Sequence, residues 1–441
     1  MLTAVQLCSW RSWRLPARPQ VTPRAGWCGT MRAATLALAW CAAVAAAALV
    51  HAPVLAAGAL PAYCVPILAA DKRAPPAELY SPEALSELPQ LQALRPPARS
   101  AAPGTVIIGV QKGGTTSLAS YLWTRGYCMP VPPNKKMEGD CMRCKELHVL
   151  WSPLGKTGDS LAKRVGVAEA YARIFRNCSG KPTFDATPEY FHKELAPAKL
   201  ASALPPERKR SLRVVVSLRE PLERSLSRFN DLVQSCLIKG TGFKCSQVCT
   251  QRGLCAKKPV SPNNIISLAN YLVRDGDIGR QLEPGPLAGA LGKQGTTAEA
   301  YLLGLRRWAK TYGRANLLVL DFVELVSDSQ RALTRLDGFL GLERTAAAGA
   351  GELPHSNEHT FAAKMSAVSC DVWRHFGTRM DEGNQRLLRW LHCTQEQAPP
   401  EERGAWDPAG ASVRALVDLW TSRDSECGTN IYNSSRQAVW A

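Results

Sequence analysis

The stretch Thr105 to Thr124, TVIIGVQKGGTTSLASYLWT, limits the fold of this chain more than any other. Val106-Ile107-Ile108 is an apolar, β-branched run of the kind found in buried parallel strands. Gly109 to Gly114 is a glycine-rich turn. Thr115, Thr116 and Ser117 bring hydroxyls to a helix start, and Leu118, Tyr121 and Leu122 give that helix one apolar face. Strand, glycine loop and helix N-terminus together form a phosphate cradle. Backbone N–H groups point at the anion and the helix dipole favours its charge. Lys112 lies inside the loop. The order of residues excludes two common nucleotide loops. A Walker A loop has its lysine after the second glycine, whereas Lys112 precedes Gly113-Gly114, and no G-x-G-x-x-G is present. The plain alternative is a strand-to-helix turn with a solvated lysine.

Two further strands carry chemistry at their ends. The segment GKPTFDATPEYF contains a short strand ending at Asp185, with Thr187 as an N-cap and Pro188 in a first helical turn. Leu212–Leu218, LRVVVSL, is a second buried strand, followed by Arg219 and a helix from about Pro221 to Val233. A third apolar strand covers Asn316–Leu320. Helices are expected at Pro82–Ala93, over 160–176, at 298–312 and at 328–340, ending near Gly341, and at Cys370–Phe376 and Glu382–Leu391. Glu146 to Leu150 reads as a short strand or extended segment. Strands alternating with helices imply an α/β fold with a parallel sheet. Ligands of such sheets sit beyond the carboxyl ends of the strands. Lys112 with its loop, Asp185 and Arg219 are at three such ends.

The sequence ahead of this domain has a different character. Residues 1–32 hold Arg11, Arg14, Arg18, Arg24 and Arg32 and no acidic residue, and residues 33–70 hold no charged residue. The apolar part, 33–60, is long enough to span a bilayer. Positive residues before it and a large domain after it predict a single-pass type II Golgi enzyme, with a cytoplasmic tail and a luminal catalytic part. A cleaved signal and an organelle transit peptide are the competing readings. Residues 61–103 are a Pro-rich stem. Of 15 cysteines, 12 lie from Cys64 onward, and their clusters read as disulfides suited to a lumen. Cys141-Met-Arg-Cys144 is open to zinc or redox chemistry, but no second pair completes a zinc site. The sequons at Asn177 and Asn433 agree with a luminal chain. The net charge of +17 suits an anionic partner. No zinc-finger spacing or basic-zipper helix is present, so nucleic acid is not the expected partner.

The motifs together resemble the carbohydrate sulfotransferases that use 3′-phosphoadenosine 5′-phosphosulfate (PAPS), closest to the heparan-sulfate branch. The resemblance covers about residues 104–395, less well over the Cys-rich insertion 236–297, and leaves 396–441 as a C-terminal extension. Gln111-Lys112-Gly113-Gly114-Thr115-Thr116-Ser117 resembles the family's 5′-phosphosulfate loop. Lys145-Glu146-Leu147-His148 resembles its K-E-x-H segment, with Val149-Leu150 in place of aromatics. Asp185-Ala186-Thr187-Pro188-Glu189-Tyr190-Phe191 resembles its E-K-[ST]-P-x-Y-F segment, with Asp185 in place of a glutamate and Ala186 in place of a lysine. Arg219-Glu220-Pro221-Leu222-Glu223-Arg224-Ser225-Leu226-Ser227 resembles its 3′-phosphate segment.

This resemblance implies the sulfotransferase fold, a P-loop-NTPase-like parallel sheet flanked by helices. It implies PAPS as donor, a hydroxyl of a glycan (a polysaccharide or glycosaminoglycan-like chain) as acceptor, and no metal. Lys112 and Asp185 become the catalytic residues, with Asp185 as general base. Lys112 to Ser117, Arg219 and Ser227 become the donor site. Lys145 and His148 are expected to touch the acceptor or to be surface loop residues. Asp185 has a second reading as a helix N-terminal acid, and Arg224 as a structural ion-pair partner. The family's late basic loop has only Lys364 as a candidate here. Two other functions stay open: an inactive anionic-glycan-binding relative, and a P-loop kinase-like phosphotransferase that needs ATP and Mg²⁺.

Overall fold

A computed structural model of the chain describes residues 79–93, 102–128, 145–151, 157–178, 180–239, 298–343 and 386–393, with 64, 67, 245, 248, 249, 265, 353, 383 and 384. The basic tail, the apolar segment 33–60, Cys141 and Cys144, Lys364, the helix expected at Cys370–Phe376, the second sequon and the extension 396–441 lie outside these residues. So does most of the insertion 236–297. Among the described residues no helix is long and apolar enough to cross a membrane.

Four parallel strands form the centre: β1 (Thr105–Gly109), β2 (Phe184–Asp185), β3 (Arg213–Leu218) and β4 (Leu317–Asp321). Their order across the sheet is β2-β1-β3-β4, with Val106 beside both Asp185 and Val214, and Val214 beside Leu317. Alternation of side chains along each strand builds two cores. Val106, Ile108, Val214, Val216, Leu317 and Val319 face one. Ile107, Val215, Leu318 and Leu320 face the other.

Helices cover both faces, as an all-parallel sheet requires. The first face packs against α4 (Val167–Ile174), α5 (Ala196–Ala203) and α8 (Ala298–Tyr312) through Tyr171, Leu200, Tyr301, Leu305 and Trp308. The second packs against α2 (Thr115–Thr124), α9 (Phe322–Ser327) and α10 (Ser329–Leu340) through Leu118, Leu122, Leu325 and Leu336. Among the described residues there are also α1 (Pro82–Ala93), α3 (Thr157–Val165), α6 (Pro206–Ser211) and α7 (Pro221–Lys239), and 386–393 are helical, within the helix expected at Glu382–Leu391 and just beyond it.

Three differences from the sequence reading have local causes. The helix expected over 160–176 is two, α3 and α4. They break at Gly166, whose φ of 85° lies where a residue without Cβ is at ease. The segment Lys145 to Leu150 is irregular, with bends and a positive φ of 51° at His148, and joins no strand. After β2, the chain makes a 3₁₀ turn at Pro188–His192, and Thr187 at its N-cap position makes no capping bond. Its hydroxyl is engaged elsewhere, as described below.

The stem is bound to the body at several points. Cys64 pairs with Cys393, and Leu79 is buried. The Ser81 hydroxyl and N–H both donate to the Glu194 carboxylate, at 2.8 and 3.1 Å. Arg307 reaches the same carboxylate at 3.2 Å and donates to the Leu79 carbonyl. Two further bridges, Cys128–Cys178 and Cys236–Cys245, agree with the expected disulfides.

Asp321 ends β4 and caps α9, accepting from the Val323 N–H at 3.2 Å. Burial, with the nearby Glu324 and Glu223 carboxylates, pushes its carboxyl up to about 6 from 3.8, against the hydrogen bonds from Val323 and Glu324. A folded-state pKa raised this way makes stability fall as pH rises from about 4 to about 6. Asp321→Asn keeps the cap oxygen and removes the buried charge. Its stability relative to the parent chain should therefore rise by about 2–3 kcal/mol between pH 4 and pH 7. Denaturant unfolding across that range checks it, and a constant difference refutes it.

Candidate active site

The loop after β1 is held against the end of β3. Val110 N–H donates to the Ser217 carbonyl at 2.8 Å, and Gly113 N–H to the Val110 carbonyl at 2.9 Å. A Cβ at position 113 would meet the Ser217 oxygen at 2.6 Å, so only glycine fits this approach. Gly114 has φ 82° and stands at the N-cap of α2, where it supplies no side-chain cap. The first turn of α2, with Thr115, Thr116 and Ser117, therefore starts without a side-chain cap. Lys112 takes a positive φ of 71°, and its ammonium lies 3.7 Å from the Asp231 carboxylate on α7.

Arg219 follows β3 directly. Its guanidinium lies 4.3 Å over the Phe322 ring and donates to the Lys112 carbonyl at 3.3 Å. A Glu223 carboxylate oxygen is 3.8 Å from its Nε. One stripe of α7 turns toward the loop, since residues three and four apart share a helix face. Arg228 donates to the Gln111 side chain and Asp231 pairs with Lys112. Ser227, partly buried, is the residue before Arg228 on α7. Lys112, Gly113, Gly114 and Arg219 are therefore gathered at the carboxyl ends of β1 and β3.

Arg224 points away from this group. It is buried, and its Nη1 lies 3.3 Å from His192 Nε2. An arginine only donates, so that imidazole nitrogen accepts. Burial, reinforced by the Arg224 charge, pushes His192 well below its usual pKa, which keeps the ring neutral. The structural reading of Arg224 fits this position.

Asp185 does not face an acceptor. It is 0 % exposed, and four groups donate to its carboxylate: Thr187 Oγ1 at 2.6 Å, Tyr171 Oη at 2.9 Å, Tyr190 Oη at 3.0 Å and the Leu147 N–H at 3.5 Å. Burial pushes its pKa up, and the bonds from Thr187, Tyr171 and Tyr190 pull against that rise. Both phenols are pushed well above their usual range, burial first and the Asp185 charge second, so they remain donors. The same network zips the segment Lys145 to Leu150 onto the β2 end. His148 N–H donates to Thr187 Oγ1 at 3.2 Å, Leu150 N–H to Tyr190 Oη at 3.2 Å, and Ala186 N–H to the Lys145 carbonyl at 2.9 Å.

The carboxylate that this zipper presents is Glu146, whose side chain is 29 % exposed. Lys145 and His148 are not surface residues. Both are buried, and they flank Glu146, with Lys145 Nζ at 2.7 Å and His148 Nε2 at 3.4 Å. Burial opposes the Glu146 charge, but the His148 hydrogen bond and the Lys145 ammonium outweigh it, taking the pKa down to about 2. Glu189 brings a third ligand-type atom within 4.8 Å of those of Glu146 and His148. Glu146 lies inside the K-E-x-H match, but sequence alone gives no reason to prefer it to Asp185. What separates them is burial.

The two groups meet at the end of β1. Phe191 and the Pro188 carbonyl close on Gly109, where a Cβ would be 2.7 and 2.9 Å from them. Phe191 meets the Tyr301 ring edge-on at 5.9 Å, and Tyr301 Oη donates to the Arg219 carbonyl at 3.1 Å.

The chain is similar to a solved sulfotransferase. That protein, from Alicyclobacillus acidocaldarius, is 19 % identical and matches over 68 % of this chain and 99 % of its own, with a TM-score of 0.41. No protein-family model and no curated protein matches.

Asp185→Asn tests the zipper. The amide nitrogen is a second donor facing donors, so at least one buried bond is lost and the variant should unfold about 1–3 kcal/mol more easily. Thermal or urea unfolding measures this. Unchanged stability would show that Asp185 does not hold the segment.

Proposed function

We propose that this protein is a sulfotransferase, moving a sulfuryl group from PAPS to a hydroxyl of a glycan. The observation that carries the reading is the pairing of two anion-binding strand ends. Lys112 with its glycine loop and Arg219 stand at the ends of adjacent parallel strands, linked by the Arg219 bond to the Lys112 carbonyl. A donor with a 5′-phosphosulfate and a separate 3′-phosphate asks for two such points. The backbone of Gly113 to Ser117 would hold the first, and Arg219 with Ser227 the second.

In the transfer, the acceptor oxygen bonds to sulfur as the bond from sulfur to the bridging phosphate oxygen breaks. Lys112 leaves Asp231 for that bridging oxygen and neutralises the charge it gains. Glu146 accepts the hydroxyl proton, in place of the expected Asp185. With a pKa near 2 it is a weak base. It suits a late proton transfer, when bonding to sulfur has already made the hydroxyl acidic. Lys145 and His148 position Glu146. The products are a glycan sulfate ester and adenosine 3′,5′-bisphosphate. The residues use no metal in this scheme. On its sequence we place the enzyme in the Golgi membrane with this domain in the lumen, a setting in which disulfides persist.

The test is incorporation of labelled sulfate from PAPS into a panel of glycans by the full chain. Glu146→Gln and Lys112→Ala should each lower transfer by about 10²–10⁴-fold while the melting temperature holds. Glu146→Gln should retain binding of adenosine 3′,5′-bisphosphate. If Glu146→Gln transfers normally and Asp185→Asn loses transfer without losing stability, the base is Asp185. If no glycan is labelled while the same nucleotide still binds, the active-transferase reading fails and the inactive relative stands.

A further inference from the structure

Beyond Glu146 the chain runs on through Leu150 to Trp151, and these two residues form one side of an open groove of about 220 Å³. Lys193 and Lys199, from the segment after the 3₁₀ turn and from α5, form its floor. Glu83 and Glu87 of α1 form the opposite wall, so the helix of the stem completes it. Trp151 is five positions after Glu146, so the groove lies at most ~18 Å along the chain from the proposed base.

The chemistry of this lining differs from that of the whole chain. The protein carries a net charge of +17. The groove instead sets three carboxylates, the exposed Glu83 and Glu87 and the Glu194 already held by Arg307 and Ser81, against the two lysines. It also holds a partly exposed indole, Trp151, with the Lys193 ammonium 3.6 Å from its ring centre. Carboxylates accept from hydroxyls, ammonium groups donate to them, and an indole face takes the apolar C–H face of a sugar ring. A densely sulfated chain would meet the two exposed carboxylates here, a like-charge clash that selects against it.

We infer that this groove binds the unsulfated sugar units next to the acceptor hydroxyl, with Trp151 as platform and the stem helix as a specificity wall. This rests on the sulfotransferase reading for what happens at Glu146, but binding in the groove can be measured without transfer. The probes are an unsulfated chondroitin hexasaccharide and a heparin hexasaccharide, titrated calorimetrically into the full chain. The chondroitin probe should bind, and Trp151→Ala should weaken it about tenfold or more while Trp151→Phe retains most of it. Glu83→Lys with Glu87→Lys, a double change on an exposed face, should shift preference several-fold toward heparin. Melting temperatures of all variants should match the parent.

Chondroitin binding that is indifferent to Trp151→Ala overturns the inference, as does a parent chain that binds heparin only. So does a preference unmoved by the double change. Trp151-dependent binding without any sulfate transfer would keep the groove and remove the sulfotransferase reading. Transfer to both probes, with the same KM in the parent and in Trp151→Ala, would do the reverse.

Discussion

The segment Lys145 to Leu150 and the end of β2 depend on one buried carboxylate. Asp185 gathers donors from four places: a hydroxyl two residues on, a phenol of the following turn, a phenol of α4, and the backbone of that segment. A carboxylate without water costs several kcal/mol, and four donors offset that cost only while all are in place. The segment Lys145 to Leu150 is in no sheet, so these bonds do for it what a ladder does for a strand. Glu146 is presented because its neighbours are fastened. The exposed acid owes its position to the buried one.

The donor side is built differently. Its shape comes from backbone: glycine at 113 so that the loop can touch β3, a positive φ at 112 and 114, and a helix start without a side-chain cap. Such a surface recognises an anion by N–H direction, and few side chains are specified. The segment Lys145 to Leu150 is set by side chains and their partners.

β1 and β3 were legible as short β-branched runs and β4 as an apolar run, all buried, whereas β2 is only the pair Phe184–Asp185. Helices α1 and α8 have the expected ends, and α10 stops at Gly341, whose φ is 67°. The donor loop was legible because glycines and hydroxyls are local signals. The burial of Asp185 was not legible because its surroundings are not local. Tyr171 is 14 residues away and Leu147 is 38. A motif puts a carboxylate at a strand end but does not say which side of the strand end is filled. For the same reason Glu146, printed in the motif, gained its role only from the exposure of its side chain and the burial of Lys145 and His148.

The stem read as a linker from its prolines and alanines, yet it is fixed at Cys64, Leu79 and Ser81. This has a mechanical consequence. Tension applied to the chain ahead of Cys64 divides at that residue. Part of it crosses the sulfur bridge to Cys393 at the far end of the sequence, and the rest ends in the Ser81–Glu194–Arg307 contacts against α8. Neither path enters β1 from its front. A pull on the chain ahead of Cys64 is thereby taken up at these contacts before it reaches the glycine loop.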